Sequence, residues 1–172
     1  MIDERVLARR EGSRWLVTEQ RLVRRTALFQ RLSGADGVVL VCAAAGSGKS
    51  VLVRSWVDAD SLHDRAAWVS VERDERDGQR FWLSLIDALA GVVGAVGRVR
   101  PSPGFRGELV VERLLSELDA VDGHVVLVID DLHELRSREA LSWLETFLTR
   151  LPPSLRVVLT TREDPRLGLH RL

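Results

Sequence analysis

The sequence predicts a three-layer α/β fold with a mostly parallel sheet. Apolar segments of strand length alternate with longer segments whose apolar residues recur at helical spacing. The strand segments are nearly uniformly apolar, which is typical of strands covered by helices on both faces. Polar or glycine-rich motifs follow three of them, after Cys42, Ile129 and Thr161. Ligands of parallel α/β sheets bind at the carboxyl ends of strands, so these motifs are candidates for one site.

The N-terminal half begins with a charged and weakly patterned segment, residues 1–20, which we expect to form an arm before a domain at 21–172. Cys42, the only cysteine, ends a β-branched run and is expected to be a buried apolar residue of a protein from a reducing compartment. The elements expected in this half are a helix at 21–32 that ends near Ser33-Gly34, a strand at 38–42 buried on both faces, a helix at 50–59 and a buried strand at 66–71.

The C-terminal half continues the alternation. Phe81, Leu85, Leu89 and Val93 share one face of a predicted helix, and the prolines and glycines between 98 and 107 predict a loop. The elements expected in this half are a helix at 79–96, a helix at 109–121, a strand at 125–129, a helix at 136–151 that ends at two prolines, and a strand at 155–161.

The composition argues against several classes of function. The 25 basic and 25 acidic residues balance, so no basic surplus is available to hold a nucleic-acid backbone, and this segment is not expected to bind DNA directly. Residues 1–14 lack the apolar core of a signal peptide, and no apolar run is long enough to span a membrane. The four histidines lack the spacing of zinc ligands. We expect a soluble, cytoplasmic protein.

Lys49 is the only lysine among the 25 basic residues, and it lies in the loop Gly46-Ser47-Gly48-Lys49-Ser50, between a predicted strand and a predicted helix. This context is that of a P-loop, in which backbone N–H groups cradle phosphate oxygens. Lys49 is expected to reach the outer phosphates and Ser50 to coordinate Mg²⁺. Ala43 replaces the first glycine of the full pattern, and an ordinary glycine-containing turn is the alternative.

Two carboxylates, Asp130 and Asp131, follow the strand predicted at 125–129. Carboxylates at the tip of a buried strand require a partner. We expect Asp130 to hold Mg²⁺ and Asp131 to orient or deprotonate an attacking water. The alternative is a cap for the segment that follows, and the upstream P-loop favours the metal site. Arg162, after the last predicted strand, is expected to face the terminal phosphate, with an ordinary surface arginine as the alternative.

These motifs together resemble the nucleotide-binding domain of MalT-like regulators. The resemblance rests on the P-loop, on Trp68-Val69-Ser70-Val71-Glu72 with Arg80-Phe81-Trp82, on the Val-Ile-Asp-Asp strand, and on Thr160-Thr161-Arg162 with the residues to 167. MalT-like regulators are large ATP-binding LuxR-family transcription factors within the STAND class of P-loop NTPases. The resemblance covers about residues 20–172. It implies a P-loop NTPase fold and a switch that holds ADP at rest, exchanges it for ATP with an inducer, and self-associates in the ATP form.

The resemblance also implies roles by position. Asp130 would be the Mg²⁺ aspartate, Asp131 the catalytic acid and Arg162 the phosphate sensor, and the lead-in helix with Arg24 would lie near the adenine. The residues expected to contact the nucleotide are Arg24, Ala45, Gly46, Ser47, Gly48, Lys49, Ser50 and Val51. Further elements of the family would follow residue 172, so we expect a partial domain with the P-loop strand at a sheet edge. Ala44 stands where relatives commonly have proline.

We therefore expect an ATP- or ADP-binding switch module that uses Mg²⁺ and hydrolyses ATP slowly or not at all. One alternative is an autonomous AAA-like ATPase, which rapid turnover would favour. The other is an interaction domain that has lost nucleotide binding, which titration with a fluorescent ATP analogue would reveal. The preference for adenine over guanine rests on the resemblance alone.

Overall fold

The structure, a computed structural model, describes residues 10–11, 14–15, 26–99, 105–165 and 167. Its strands are β1 (Arg10–Glu11), β2 (Arg14–Trp15), β3 (Val38–Cys42), β4 (Ala66–Ser70), β5 (Val125–Asp130) and β6 (Leu155–Thr161). Its helices are α1 (Thr26–Gly34), α2 (Lys49–Ala59), α3 (Gly78–Ala90), α4 (Gly107–Asp119) and α5 (Arg138–Thr149), with 3₁₀ turns at His63–Arg65, Gly94–Arg98 and Leu132–Glu134. The helix predicted over 79–96 ends at Ala90, because Gly91 and Gly94 favour termination. None of the described helices has the length and apolar character needed to cross a membrane.

The central sheet is parallel and has the strand order β3-β6-β5-β4. Cys42 on β3 pairs with Thr161 on β6, and Ser70 on β4 pairs with Asp130 on β5. All four strands point the same way, so the motifs that follow them meet at one end of the sheet. The α/β fold predicted from the sequence is confirmed. The two-residue strands β1 and β2 pair antiparallel, within the segment for which the sequence predicts an arm.

Among the described residues, hydrophobic layers of very different size cover the two faces of this sheet. Alternate residues of β5 point to opposite faces, so Leu127 and Ile129 pack under α3, α4 and α5, while Val126 and Val128 pack under α1 and α2. Trp82 is fully buried in the larger layer, where its ring meets the ring of Phe147 edge to face. Among the described residues, the smaller layer contains seven buried side chains: Leu32, Val53, Trp56, Val57, Val126, Val128 and Val158.

The first strand of the sheet differs from the prediction. The sequence predicts that 38–42 is buried on both faces, but Leu40 is 37% exposed and Cys42 is exposed. The predictions of a fully buried strand and of a buried cysteine are therefore wrong. The physical reason is position: β3 lies at the edge of the described sheet, with β6 as its one paired neighbour there. An edge position for this strand is what the family resemblance implies.

Candidate functional site

The loop between β3 and α2 has the backbone geometry of a phosphate-binding loop. Gly46 and Gly48 have φ angles of 73° and 80°, in the left-handed region. A residue with a β-carbon pays about 1–2 kcal/mol there, whereas glycine adopts it freely. Gly48 is the N-cap of α2, so the unpaired N–H groups and the positive end of the helix dipole lie at the loop. This arrangement favours an anionic ligand.

The Lys49 ammonium lies against the loop itself. The residue is 8% exposed, and its Nζ donates to the carbonyl oxygen of Ala43 at 2.8 Å and to that of Ala44 at 3.1 Å. Backbone oxygens therefore hold the only lysine of the chain at the position where the sequence predicts a phosphate contact. A compact ammonium suits this narrow setting, whereas the broad planar guanidinium of an arginine does not.

The surroundings of the Ser47 hydroxyl indicate that a phosphate group fits the loop. Its oxygen is buried and has no hydrogen-bond partner within the part of the chain that the structure describes. An unsatisfied buried polar group costs about 1–3 kcal/mol. A phosphate oxygen in the loop would accept the hydrogen of this hydroxyl. The residues present therefore fit a phosphate-bearing ligand.

A chain of hydrogen bonds joins α2, β5 and β6 at the end of the sheet. The Ser50 hydroxyl donates to Asp130 Oδ1 at 3.0 Å. The Thr160 hydroxyl donates to the same oxygen and accepts the backbone N–H of Asp131 at 3.0 Å. Asp130 is 5% exposed and Thr160 is fully buried. The structure thus brings together Ser50 and Asp130, the two predicted magnesium ligands, and adds Thr160, which sequence reasoning missed.

Asp131 has a different environment from Asp130. Its side chain is 41% exposed, and its backbone adopts a left-handed conformation with φ of 57°. It occupies the N-cap position of the 3₁₀ turn Leu132–Glu134, but its side chain makes no capping hydrogen bond there. The capping alternative is therefore not what the structure shows for Asp131. Its exposed carboxylate is free to contact a solvent molecule at the site.

Two further polar residues of the site, His133 and Glu134, were missed by the sequence reasoning. His133 Nδ1 lies 3.9 Å from Asp131 Oδ1, and its Nε2 lies 3.4 Å from Glu134 Oε1. The Asp74 N–H donates to Glu134 Oε2 at 3.2 Å. This bond outweighs the opposing effect of burial and, aided by the charges of His133, Arg162 and Arg136, holds the pKa of Glu134 below its usual range.

Three other residues that the sequence predicts for the site are exposed in the structure. Arg162 follows β6 at the same end of the sheet, where it is exposed. Val51, in the first turn of α2, is 52% exposed, and Ala45 lies exposed in the loop. Arg24 lies outside the described residues. No cluster of three or more histidine, cysteine, aspartate or glutamate side chains that could hold a metal occurs within the described ranges.

The match to a known family decides the classification. A sequence profile described as "AAA ATPase domain" matches residues 18–159, most of the chain. The chain belongs to the AAA ATPase domain family. The α/β fold of this AAA domain, with its parallel sheet, agrees with that membership.

Two sequence relatives of this AAA domain are transcriptional regulators. The HTH-type transcriptional regulator MalT of Yersinia pestis (strain Pestoides F) is 28% identical over 162 residues, and the match covers 89% of this chain and 17% of that protein. MalT of Yersinia enterocolitica serotype O:8 is also 28% identical, over 163 residues, with the same coverage. The resemblance to the nucleotide-binding domain of MalT-like regulators is confirmed. The chain spans about a sixth of the length of these relatives, as the 17% coverage shows.

A solved structure supports the fold. A STAND protein with a tetratricopeptide repeat sensor from Pyrococcus horikoshii superposes with a TM-score of 0.62 at 20% identity. The superposition covers 87% of this chain and 22% of that one. The AAA domain therefore has the α/β fold of P-loop NTPases.

Proposed function

We propose that this AAA domain is the ATP- or ADP-binding switch module of a MalT-type transcription regulator, with Mg²⁺ as its metal and slow hydrolysis. The observation that carries the proposal is the 3.0 Å hydrogen bond from the Ser50 hydroxyl to Asp130. It joins the end of a P-loop to a buried strand-end carboxylate. A P-loop serine and a strand-end aspartate are the pair that holds Mg²⁺ in P-loop NTPases.

The residues of the loop have complementary roles in this proposal. The backbone of residues 45–51 and the Lys49 ammonium bind the phosphates, and the Ser47 hydroxyl, which has no hydrogen-bond partner in the described part of the chain, donates to one of them. Ser50 and Asp130 would hold Mg²⁺, which would neutralise phosphate charge. One carboxylate and one hydroxyl from the protein would suffice, because Mg²⁺ usually keeps waters and substrate phosphates as further ligands.

The other predicted residues complete the switch. Asp131, at 41% side-chain exposure, orients the water that attacks the terminal phosphate, and Arg162 contacts that phosphate. Arg24 is proposed to lie near the adenine. The names of the similar proteins, a transcriptional regulator and a signal-transduction ATPase, support a role in signalling. A switch that signals through its bound nucleotide requires slow turnover. Self-association in the ATP form and DNA recognition by other parts of such a regulator belong to the same proposal.

Titration of the 172-residue chain with fluorescent ATP and ADP analogues, with and without Mg²⁺, tests this function. We expect both nucleotides to bind, and single-turnover hydrolysis to be slow. Ser50→Ala should remove the Mg²⁺-dependent part of ATP binding. Ser55→Ala makes the same change further along α2, away from Asp130, and should bind as the parent does. A parent chain that binds neither nucleotide would refute the proposal, whereas rapid steady-state turnover would favour the autonomous ATPase.

A gel-shift assay at several salt concentrations tests the statement about DNA. The 25 acidic and 25 basic residues leave no net charge, so we expect no promoter binding by this chain. A tight complex that survives moderate salt would contradict that expectation.

A further inference from the structure

The His133 imidazole stands between two carboxylates beside the candidate site. It belongs to the 3₁₀ turn Leu132–Glu134 that follows β5. Leu132 and Leu135 are 1% and 4% exposed, so the turn is anchored in the core on both sides of the histidine. The side chain of His133 is itself only 7% exposed. The packing therefore fixes where the ring lies.

Both ring nitrogens of His133 are buried without a hydrogen-bond partner among the residues that the structure describes. The polar atoms that face them are Asp131 Oδ1, 3.9 Å from Nδ1, and Glu134 Oε1, 3.4 Å from Nε2. Both distances exceed the usual N–H···O range, so the carboxylate must move toward the ring to complete either bond. Turning the ring over would place carbon atoms opposite both carboxylates. The two contacts therefore define one orientation of the ring.

The Glu134 and Asp131 carboxylates differ in how firmly their surroundings hold them. Glu134 already accepts the Asp74 N–H at 3.2 Å, and its side chain is 16% exposed. Asp131 is 41% exposed, and no side-chain capping bond holds it. Glu134 is therefore the fixed neighbour of the ring, and Asp131 is the neighbour whose rotamer the ring can set.

We propose that His133 is a positioning residue for Asp131. With a hydrogen on each ring nitrogen, the ring donates from Nε2 to Glu134, which holds its orientation, and from Nδ1 to the Asp131 carboxylate, which keeps that carboxylate in the rotamer that orients the attacking water. This inference rests on the slow hydrolysis in the proposed function. The misplacement of a reacting group by about 1 Å can lower a rate about 100-fold, so control of one rotamer is enough to matter.

Three substitutions of His133 separate its two nitrogens. The amide of His133→Asn lies near the position of Nδ1, that of His133→Gln near Nε2, and His133→Leu keeps only the bulk. We expect His133→Asn to retain most of the single-turnover rate of hydrolysis, and the other two variants to lose about 10- to 100-fold. Affinity for the fluorescent ATP analogue should stay within about twofold in all three. His124→Leu, an exposed histidine at the opposite end of β5, is the matched control and should hydrolyse ATP as the parent does.

A second comparison tests whether His133 acts through Asp131. In an Asp131→Asn background, His133→Leu should have no further effect on the rate, because residues that act as one unit are not additive. In ¹⁵N spectra of histidine-labelled chain, Asp131→Asn should move the His133 Nδ1 resonance more than the Nε2 resonance, and Glu134→Gln should do the reverse. These spectra need no nucleotide.

The outcomes that overturn the inference differ from those that overturn the proposed function. The positioning role is refuted if the two substitutions lower the hydrolysis rate independently in the double variant, or if His133→Leu hydrolyses ATP at the parental rate. It is also refuted if Asp131→Asn does not shift the Nδ1 resonance. A parent that binds ATP and never hydrolyses it also refutes that role, but leaves nucleotide binding intact. A parent that binds no ATP analogue refutes the proposed function, and the spectra then decide whether the His133–Asp131 contact exists.

Discussion

Replacing Thr160 with valine removes one hydroxyl from the junction of β5 and β6 and keeps the shape of the side chain. That hydroxyl donates to Asp130 Oδ1 and accepts the Asp131 N–H at 3.0 Å, and Thr160 is fully buried. The variant leaves the Asp130 carboxylate with the Ser50 hydroxyl as its remaining donor in the described structure. It also leaves the Asp131 N–H without this acceptor. Valine is therefore not a conservative replacement here.

The expected loss of stability follows from these two bonds. A hydrogen bond to a charged group contributes about 1.5–3 kcal/mol, and one between neutral groups contributes about 0.5–1.5 kcal/mol. Thr160→Val should therefore lower the free energy of unfolding by about 3 kcal/mol. For a chain of this size, about 1 kcal/mol corresponds to about 2–4 °C, so the melting temperature should fall by about 6–12 °C.

Urea unfolding followed by tryptophan fluorescence measures this loss, and Thr161→Val is the matched control. Thr161 is also fully buried, but its hydroxyl donates to the carbonyl oxygen of Glu163 at 2.7 Å, away from the two aspartates. We expect the control to cost about 1 kcal/mol and to leave Mg²⁺-dependent binding unchanged. Equal stability of the two variants would refute the reasoning, because the contacts of Thr160 to the aspartates would then contribute nothing measurable.

Three other predictions concern the charged residues of the site. Lys49→Ala should abolish binding of a fluorescent ATP analogue, and Lys49→Arg should nearly abolish it, since a guanidinium does not fit the loop; parental affinity in the arginine variant would contradict this. Asp130→Asn should weaken Mg²⁺-dependent nucleotide binding by about 1–3 kcal/mol and metal-free ADP binding less. Asp131→Asn should leave nucleotide binding unchanged and slow hydrolysis. If the two variants showed each other's effects, the roles of metal ligand and water-orienting residue would have to be exchanged. The lowered pKa of Glu134 favours its ionised form in the folded state, so its stabilisation is present above the usual glutamate pKa and is lost as pH falls through the folded value. Glu134→Gln should therefore reduce the pH dependence of stability below about pH 4 in acid-unfolding curves.

The sequence predicted the elements well because their patterns are local. β6 has the bounds that its apolar run predicts, Leu155–Thr161, and α2 begins directly after the glycines of the loop. The place of a strand in a sheet depends on pairing between distant segments, which an apolar run does not encode. For this reason the sequence predicted a buried β3 and a buried Cys42, and both predictions were wrong.

The site was predicted unevenly for the same reason. Lys49, Ser50 and Asp130 belong to recognisable motifs, and the structure brings the last two within 3.0 Å of each other. Thr160 carried a signal that was not used, since a polar residue near the end of an apolar strand needs a partner as Asp130 does. His133 was considered only as a metal ligand. Its place between two carboxylates depends on the geometry of the turn Leu132–Glu134, which has no sequence signature.

The unequal hydrophobic layers have a consequence for motion within the fold. Among the described residues, α1 and α2 share with the sheet a layer of seven buried side chains, four of which are their own, whereas Asp130 and Thr160 lie on strands that are also packed beneath α3, α4 and α5. Local opening needs least free energy where the least apolar surface is buried. Amide hydrogens of α1 and α2 should therefore exchange with solvent before those of β5 and β6. The phosphate loop and α2, with Lys49, can therefore open locally while Asp130 and Thr160 keep their positions on the sheet.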